Sequence, residues 1–237
     1  MFSNKKIMIV VAHPDDELLG LGATMHKLIK DNSVQTHVVI LGEGITSRSE
    51  TRNTDLWSKE LEIHHANIAN AQKQIGYHSL NTYQLPDNRF DSIALLDIIK
   101  IVEKEKNSFK PDIIFTHHGG DLNIDHRLTF EAVMTATRPM ENECVKTVIT
   151  FETPSGTEWQ ASTNPQPFTS NMYIEVKEDN VNAKLLGMKQ YELETRTYPH
   201  PRSIEALKIK MQQRGIEIGC QHAEAFQIVR LNLIDTF

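Results

Sequence analysis

The sequence has little cysteine and no long apolar run, and each absence excludes a class of protein. Cys144 and Cys220 are the two cysteines of the 237 residues, and neither stands in a C-x-x-C pair. Two such thiols do not predict the disulfide framework of small secreted domains or a cysteine-based zinc or redox site. No stretch of about 18 apolar residues occurs, so no membrane span is expected. The first residues lack the length and cleavage pattern of a signal peptide, so the cytoplasm is the expected location.

Positive charge is also in deficit, with 25 Lys and Arg against 31 Asp and Glu and a formal net charge of −6. Nucleic-acid-binding domains normally carry a clustered basic surface, so we expect no nucleic-acid partner. A small acidic or phosphorylated substrate stays compatible, because a local basic pocket can lie on an acidic protein. The length and the hydrophobic content of 39% are sufficient for one large α/β domain.

Strand and helix patterns alternate along the first two thirds of the chain. Continuous β-branched and apolar runs predict strands at residues 6–12, 35–41, 81–85, 112–116 and 145–152. Between them, helices are predicted at residues 15–30, 54–75, 92–106 and 127–137. Residues 153–169 have the composition of a long loop, followed by a strand at 172–176 and helices at 182–194 and 203–218.

This alternation predicts a Rossmann-like α/β fold with a mostly parallel sheet and helices on both faces. We expect a single domain over residues 1–237, in which 1–152 form the core and 153–237 a C-terminal elaboration packed on the same sheet. Active sites in such folds lie at the carboxyl ends of the strands. The two polar clusters described next both follow predicted strands.

The first cluster is the segment AHPDDE at residues 12–17. It places His13, Asp15, Asp16 and Glu17 directly after the first predicted strand. Three carboxylates crowded beside one imidazole repel one another unless a cation lies among them, and a divalent metal resolves that conflict. A tight turn can aim His13 and Asp16 at one point and leave Asp15 free to act as a base on an activated water. The alternative is a merely acidic first helical turn.

The second cluster follows the predicted strand 112–116 and reads HHGGDLNIDHR over residues 117–127. His126 opens the next helix and can donate a third ligand from a neighbouring strand end. Two histidines and one aspartate with an open fourth position suit a catalytic zinc. The alternative is a turn with surface histidines, but three histidines within ten residues weigh against it.

With these residues, the chain resembles the PIG-L/LmbE-type de-N-acetylase family. AHPDDE matches the first motif of that family in full, and residues 123–126 (NIDH) correspond to its second motif. Similarity extends to residues 85–91 (LPDNRFD), to Arg214-Gly215 with Gly219, and to 223–226 (AEAF), so it covers nearly the whole chain. AHPDDE after an N-terminal buried strand is highly specific.

The resemblance implies a zinc ion bound by His13, Asp16 and His126, and Asp15 as the general base that activates water. Iron, cobalt or manganese would also suit these ligands. Family substrates are mostly N-acetylglucosamine linked to an inositol, a lipid, another sugar or a thiol precursor. The expected function is therefore hydrolysis of the acetamide of an N-acetylated amino sugar or sugar conjugate.

One position departs from the family pattern. Many members carry a histidine three residues before the metal-binding histidine, whereas this chain has Asn123. Asparagine can donate a hydrogen bond to an oxyanion but cannot carry a proton. His200, held between two prolines, is the candidate for the missing acid; alternatively His200 is a surface residue and Asp15 serves as both base and acid. We further expect Glu17 to brace the loop and Asp125 to orient a metal-binding histidine.

The candidate substrate-binding residues are arginines in or near strand-end loops: Arg48, Arg52, Arg89 and Arg202. A guanidinium makes bidentate contacts with phosphate or carboxylate, which makes a nucleotide-sugar or acidic-sugar substrate plausible beside a neutral amino sugar. The alternative is that these arginines face solvent. The sequence leaves the oligomeric state open, a homo-oligomer included.

Three rival functions share part of these features. A dinucleotide-binding oxidoreductase would place its glycines in the first strand-to-helix turn, but Gly20 and Gly22 lie inside the predicted helix and AHPDDE fills the turn. A non-catalytic metal- or carbohydrate-binding protein is disfavoured by the presence of Asp15. Hydrolysis of a different amide shares every motif, so only substrate tests separate it.

Overall fold

Seven strands form one sheet in the computed structural model, which describes residues 1–32 and 34–233; six of them run in the same direction and one runs against them. The strands are β1 Lys6–Val11, β2 Gln35–Gly42, β3 Ser79–Leu85, β4 Ile113–His117, β5 Thr147–Phe151, β6 Met172–Glu175 and β7 Ala223–Leu231. Their order across the sheet is β3-β2-β1-β4-β5-β7-β6, with β7 antiparallel to both of its neighbours. The predicted mostly parallel Rossmann-like sheet is confirmed.

Helices cover both faces of this sheet, as predicted. They are α1 Asp16–Leu19, α2 Gly22–Asn32, α3 Ser58–Ile75, α4 Leu95–Phe109, α5 Ile124–Ala136, α6 Glu178–Met188 and α7 Ile204–Ile216. Alternate residues of β1 enter the two core layers. Ile7 and Ile9 pack with α2, α3, α6 and α7, whereas Met8 and Val10 pack with α4 and α5. Burial of both faces is the reason for the continuous apolar run in β1.

The predicted helix at residues 15–30 was wrong in one respect, because it is divided in two. Helix α1 ends at Leu19 and α2 begins at Gly22. A Cβ atom added to Gly20 would lie 2.1 Å from the ring of Phe151, so the break lies where the chain passes closely over β5. This close passage fixes the first turn of α1, and with it the AHPDDE segment, above the carboxyl end of the sheet.

Strand β7 was not predicted, and it is the main correction to the C-terminal region. Its charged residue Glu224 is 4% exposed and accepts hydrogen bonds from the amides of Ala23 and Thr24 and from Lys184. A charge that points inward does not belong to the alternating pattern by which a strand is recognised. Here it caps the start of α2, so β7 ties the C-terminal elaboration to the core. Within the described ranges, no helix has the length and apolar character that crossing a bilayer requires.

Candidate metal centre and active site

A cavity of about 270 Å³ opens at the carboxyl edge of the parallel strands. The loops after β1, β2, β3, β4 and β5 each contribute to its lining. The lining residues that the sequence predicted are His13, Asp15, Asp16, Arg48, Asn123, His126 and Arg202, and those it did not predict include His64, Asp87, Glu194 and Arg196. The two predicted clusters therefore meet in one cavity, because parallel strands end at the same edge.

His13, Asp16 and His126 converge at the floor of the cavity. One ligand atom from each lies within 4.8 Å of the others. Asp16 Oδ2 lies 3.5 Å from His13 Nδ1 and 3.4 Å from His126 Nε2. The Asp16 carboxylate is further fixed by the His13 amide, which donates to Oδ2 at 2.8 Å. Two imidazole nitrogens and one carboxylate oxygen facing one point are a donor set that zinc and related divalent metals accept.

Both imidazoles are held by a carboxylate on the nitrogen that points away from this convergence. His13 Nε2 lies 2.9 Å from Asp125 Oδ2, and His126 Nδ1 lies 3.1 Å from Asp121 Oδ1. Such carboxylate–histidine pairs fix the ring orientation and the tautomer of metal-binding histidines. The contact that the predicted role of Asp125 requires is thus present. Asp121 was missed, although the GGD segment before His126 places a carboxylate within reach.

The electrostatics of this cluster favour a bound cation. Burial lowers the pKa of His13, but hydrogen bonds with Asp125 and Asp16 outweigh it, and the pKa lies well above its usual value. Burial also lowers the pKa of His126, but the charges and hydrogen bonds of Asp16 and Asp121 raise it to about 9. The carboxylates therefore stabilise positive charge between them. This charge is carried by protons on the two rings or by a metal ion that replaces those protons. On this observation the residues fit a divalent metal.

A second group, formed by His13, Asp87 and Asp125, also brings its ligand atoms within 4.8 Å. Its oxygen atoms already accept hydrogen bonds from the protein. Asp125 Oδ1 accepts from the Phe90 amide at 3.0 Å, and Asp87 Oδ2 accepts from the Ser47 hydroxyl at 2.7 Å. This group also offers only one imidazole beside two carboxylates, so the two imidazoles and one carboxylate around Asp16 match the zinc donor set more closely.

His117 packs against His126, one of the three metal-fitting residues. Its ring is parallel to that of His126, with centroids 3.9 Å apart. His117 Nε2 accepts from the Ala12 amide at 3.0 Å, so the proton is on Nδ1, which lies 3.1 Å from the Thr153 hydroxyl. Burial and the charge of His126 lower the pKa of His117 to about 4, which keeps this ring neutral.

Asp15 stands beside the metal-fitting residues with an unusual backbone. Its φ of 100° lies in the left-handed region, which non-glycine residues rarely occupy. The side chain is buried, and Oδ2 lies 3.4 Å from Arg202 Nη1. Burial raises the pKa of Asp15 well above its usual value, although Arg202 acts in the opposite direction. A cation bound by the neighbouring residues would lower this pKa again.

Glu17 lies under the same loop and is 1% exposed. Its Oε1 accepts from the Tyr191 hydroxyl at 2.6 Å and its Oε2 from the Asp15 amide at 3.1 Å. Burial raises the pKa of Glu17 to about 7, against the lowering effect of the Tyr191 hydrogen bond. These contacts connect the Asp15 backbone to the segment after α6, which is the geometry that a bracing residue requires.

The two candidates for handling the oxyanion and the leaving amine have different positions. Asn123 lines the cavity; its Oδ1 caps α5 by accepting from the Asp125 amide at 2.8 Å, and its Nδ2 donates to Asn88 Oδ1 at 2.9 Å. His200 is absent from the described lining of the cavity. Its ring lies edge-on to Trp159 at 5.3 Å and its Nδ1 accepts from the Arg202 amide, so this placement argues against His200 as the proton donor.

The four predicted arginines also differ in whether they line the cavity. Arg48 and Arg202 line the cavity, but Arg52 and Arg89 are not among its described lining residues. Arg52 makes a bidentate ion pair with Glu43 at 2.9 and 2.8 Å, and Arg89 Nη2 donates to the Glu50 carbonyl. In this structure both guanidinium groups serve loop contacts, and a substrate-binding role for Arg52 and Arg89 stays a prediction.

Comparisons with known proteins indicate the family of this chain. The family described as "GlcNAc-PI de-N-acetylase" (PIG-L) matches residues 8–137. An uncharacterised deacetylase of Escherichia coli K12, YaiS, is 30% identical over 193 residues, which are 79% of this chain and 91% of that protein. N,N'-diacetylchitobiose deacetylase from Pyrococcus horikoshii has a TM-score of 0.74 at 16% identity, covering 95% of this chain and 84% of its own.

The same fold also carries other chemistry. GalB, the 4-carboxy-2-hydroxymuconate hydratase from Pseudomonas putida KT2440, has a TM-score of 0.74 at 17% identity and covers 98% of this chain and 99% of its own. Structural similarity at this identity shows the fold alone. The family match and the YaiS similarity show the family as well, since they rest on sequence over most of the chain. By these matches, the chain belongs to the PIG-L family of de-N-acetylases.

Proposed function

We propose that this protein is a metal-dependent de-N-acetylase that hydrolyses the acetamide of an N-acetylated amino sugar or sugar conjugate. The observation that carries the proposal is the buried Asp15 carboxylate beside the converging ligand atoms of His13, Asp16 and His126, within one cavity at the sheet edge. Membership of a de-N-acetylase family supports the reaction type. Zinc is the metal we expect, because two imidazoles and one carboxylate with an open position suit it.

His13, Asp16 and His126 would hold the metal, and Asp121 and Asp125 would keep the two rings in place. A divalent metal at this point supplies Lewis-acid activation of a water molecule and of the acetyl carbonyl. The local charge favours it, because the carboxylates around both rings already hold positive charge there.

Asp15 accepts the proton of the attacking water in this proposal. Its carboxylate is buried at the cavity, and burial raises its pKa, which makes it a stronger base than an exposed aspartate. Arg202 Nη1, 3.4 Å from Oδ2, and the Glu17 contact to the Asp15 amide hold the group in place. Water adds to the acetyl carbon, the C–N bond breaks, and acetate and a free amine are the products.

We propose that Asp15 then donates the proton it took from water to the leaving nitrogen. This choice follows from the position of His200, whose ring contacts Trp159 and which is not among the described lining residues of the cavity. Asn123 is the proposed donor to the oxyanion. One N–H of its Nδ2 is directed to Asn88, which leaves the second N–H for the substrate.

The test is amine release from a panel of N-acetylated sugars and sugar conjugates with zinc-loaded protein. The variant is Asp15→Asn, and its matched control is Asp55→Asn, which removes an exposed carboxylate. We expect release that requires metal, falls by about 10²- to 10⁴-fold in Asp15→Asn and is unchanged in Asp55→Asn. Metal content of each variant is measured in parallel.

Two outcomes would redirect the proposal. Tight metal binding without amine release from any sugar would leave either a hydrolase of a different amide or a non-catalytic binding protein. Amine release that persists at the same rate in Asp15→Asn would keep the activity but remove Asp15 from its proposed role.

A further inference from the structure

We propose that the cavity contains a subsite for an oxyanion group of the substrate, either a phosphate or a carboxylate, formed by Arg48 and Arg196 and organised by Glu194. This inference rests on the proposed function and specifies its substrate: an N-acetylated sugar that carries a negatively charged substituent away from the acetamide. Arg196 was not singled out in the sequence, and Glu194 was expected only as the end of a helix.

Glu194 is the centre of the cluster and is 8% exposed. Its Oε1 accepts from Arg48 Nη2 at 2.6 Å, and its Oε2 accepts from Arg202 Nη1 at 2.9 Å. Arg196 Nη2 lies 3.9 Å from the same Oε2. All four side chains line the cavity. The segment after α6 supplies Arg196 and Arg202, and the loop after β2 supplies Arg48, so three guanidinium groups surround a single carboxylate on one wall.

Positive charge exceeds negative charge on this wall. Three guanidinium groups face one carboxylate, and Arg202 is shared with Asp15. His64 lies 3.3 Å from Glu194 Oε1 and is neutral near pH 7, because burial and then the charge of Arg48 lower its pKa to about 4. Burial and the charge of Arg202 lower the pKa of Arg196. Arg48 and Arg196 therefore share a single carboxylate, Glu194, with Arg202.

The guanidinium groups of Arg48 and Arg196 also have N–H donors that could bind a substrate. Arg48 directs Nη2 to the Leu193 carbonyl and Glu194, and Arg196 directs Nη1 to the Leu193 and Thr195 carbonyls. Among the described residues, their other guanidinium nitrogens make no hydrogen bond. The side chains are 33% and 36% exposed, so these donors are accessible from the cavity. A planar guanidinium edge matches phosphate or carboxylate oxygens.

Arg202 sets the distance between this subsite and the proposed base. Its Nη1 contacts Asp15 on one side and Glu194 on the other, at 3.4 and 2.9 Å. One guanidinium thus separates Asp15 from the carboxylate that holds Arg48. An acetamide at Asp15 and an oxyanion at Arg48 and Arg196 must therefore belong to different parts of the substrate.

The experiment compares zinc-loaded protein on N-acetylglucosamine, its 1-phosphate, its 6-phosphate and N-acetylmuramic acid. We expect kcat/KM for at least one charged sugar to exceed that of N-acetylglucosamine by about tenfold or more, because charge-assisted hydrogen bonds are among the strongest polar contacts. The phosphate and carboxylate arms identify which oxyanion is bound. Arg48→Gln and Arg196→Gln should reduce this ratio, and Arg48→Lys and Arg196→Lys should reduce it less. Arg138→Gln, an exposed arginine, is the matched control.

Thermal stabilisation by the same sugars gives a second readout that does not require turnover. The charged sugars should raise the melting temperature of the wild type more than that of Arg48→Gln/Arg196→Gln. Amine release without any preference for a charged sugar would overturn the subsite and leave the deacetylase proposal standing. Absence of amine release from every sugar would overturn the deacetylase proposal; the stabilisation then decides the subsite, supporting it if lost in the double variant and overturning it if equal.

Discussion

Asp121 Oδ1 lies 3.1 Å from Nδ1 of His126 and turns the other ring nitrogen towards Asp16. The Asp121 carboxylate is itself fixed, because Oδ1 accepts from the Asn123 amide at 2.9 Å and Oδ2 accepts from the Thr157 hydroxyl at 2.7 Å. The Asp121 side chain thereby connects the loop after β5 to the loop after β4. Orientation of the second imidazole thus depends on a residue outside both family motifs.

Replacing Asp121 tests this relationship. Asp121→Asn removes the charge that holds the His126 ring, so we expect zinc affinity to fall by about 10- to 100-fold. Competition with a chromophoric chelator measures the affinity. Asp55→Asn is the matched control, because Asp55 is exposed. Equal zinc affinity in Asp121→Asn and wild type would contradict an orienting role.

Zinc binding should release protons at neutral pH. Asp16 and Asp121 raise the pKa of His126 to about 9 against the lowering effect of burial, so the ring is protonated at pH 7 in the metal-free protein. A metal ligand must be neutral imidazole, so about one proton or more should leave for each zinc ion bound. Calorimetry in buffers of different ionisation enthalpy counts the protons. Affinity should rise with pH up to about 9, and a pH-independent affinity would contradict this assignment.

The Tyr191 hydroxyl should stabilise the fold through Glu17. The hydrogen bond is 2.6 Å long, and both side chains are buried. Tyr191→Phe leaves the Glu17 oxygen without this donor, so the free energy of unfolding should fall by about 1–3 kcal/mol. Urea denaturation measures the change. Tyr198→Phe is the control, since Tyr198 is 60% exposed, and an equal loss in both variants would remove the special role of the buried pair.

The Glu152–Arg214 ion pair should make stability depend on pH in the acidic range. Arg214 donates to both Glu152 oxygens at 2.7 Å, and Lys210 lies 2.8 Å away. Burial raises the pKa of Glu152, but these cations outweigh it, so the net shift is downward. A lowered folded-state pKa gives stability that is present above the unfolded-state pKa and is lost as pH falls through the folded-state pKa.

Urea unfolding from about pH 7 to about pH 3 measures this dependence. The difference in unfolding free energy between wild type and Glu152→Gln should shrink as pH falls. Glu158→Gln controls for removal of one negative charge at an exposed position. A constant difference between wild type and Glu152→Gln across the range would contradict the assignment.

The sequence alone determined the parallel core and the floor of the cavity. Runs such as β1 are apolar on both faces because helices cover both, and this pattern is local in the chain. His13 and Asp16 are neighbours in sequence, and His126 follows another parallel strand whose carboxyl end lies at the same sheet edge. For this reason the position of the metal-fitting residues follows from strand order, without knowledge of side-chain contacts.

The tertiary structure alone decided which other polar side chains face the cavity. Arg52 is paired with Glu43 and Arg89 with a backbone carbonyl, whereas Arg48 faces the cavity, although all three lie in similar loops. Strand β7 carries an inward charge whose partner, Lys184, lies 40 residues earlier in the chain. Pairing of charges depends on distances between segments that are remote in sequence, and no local periodicity records those distances. The sequence thus identified the residues that converge at the centre, and folding determined the groups that surround them.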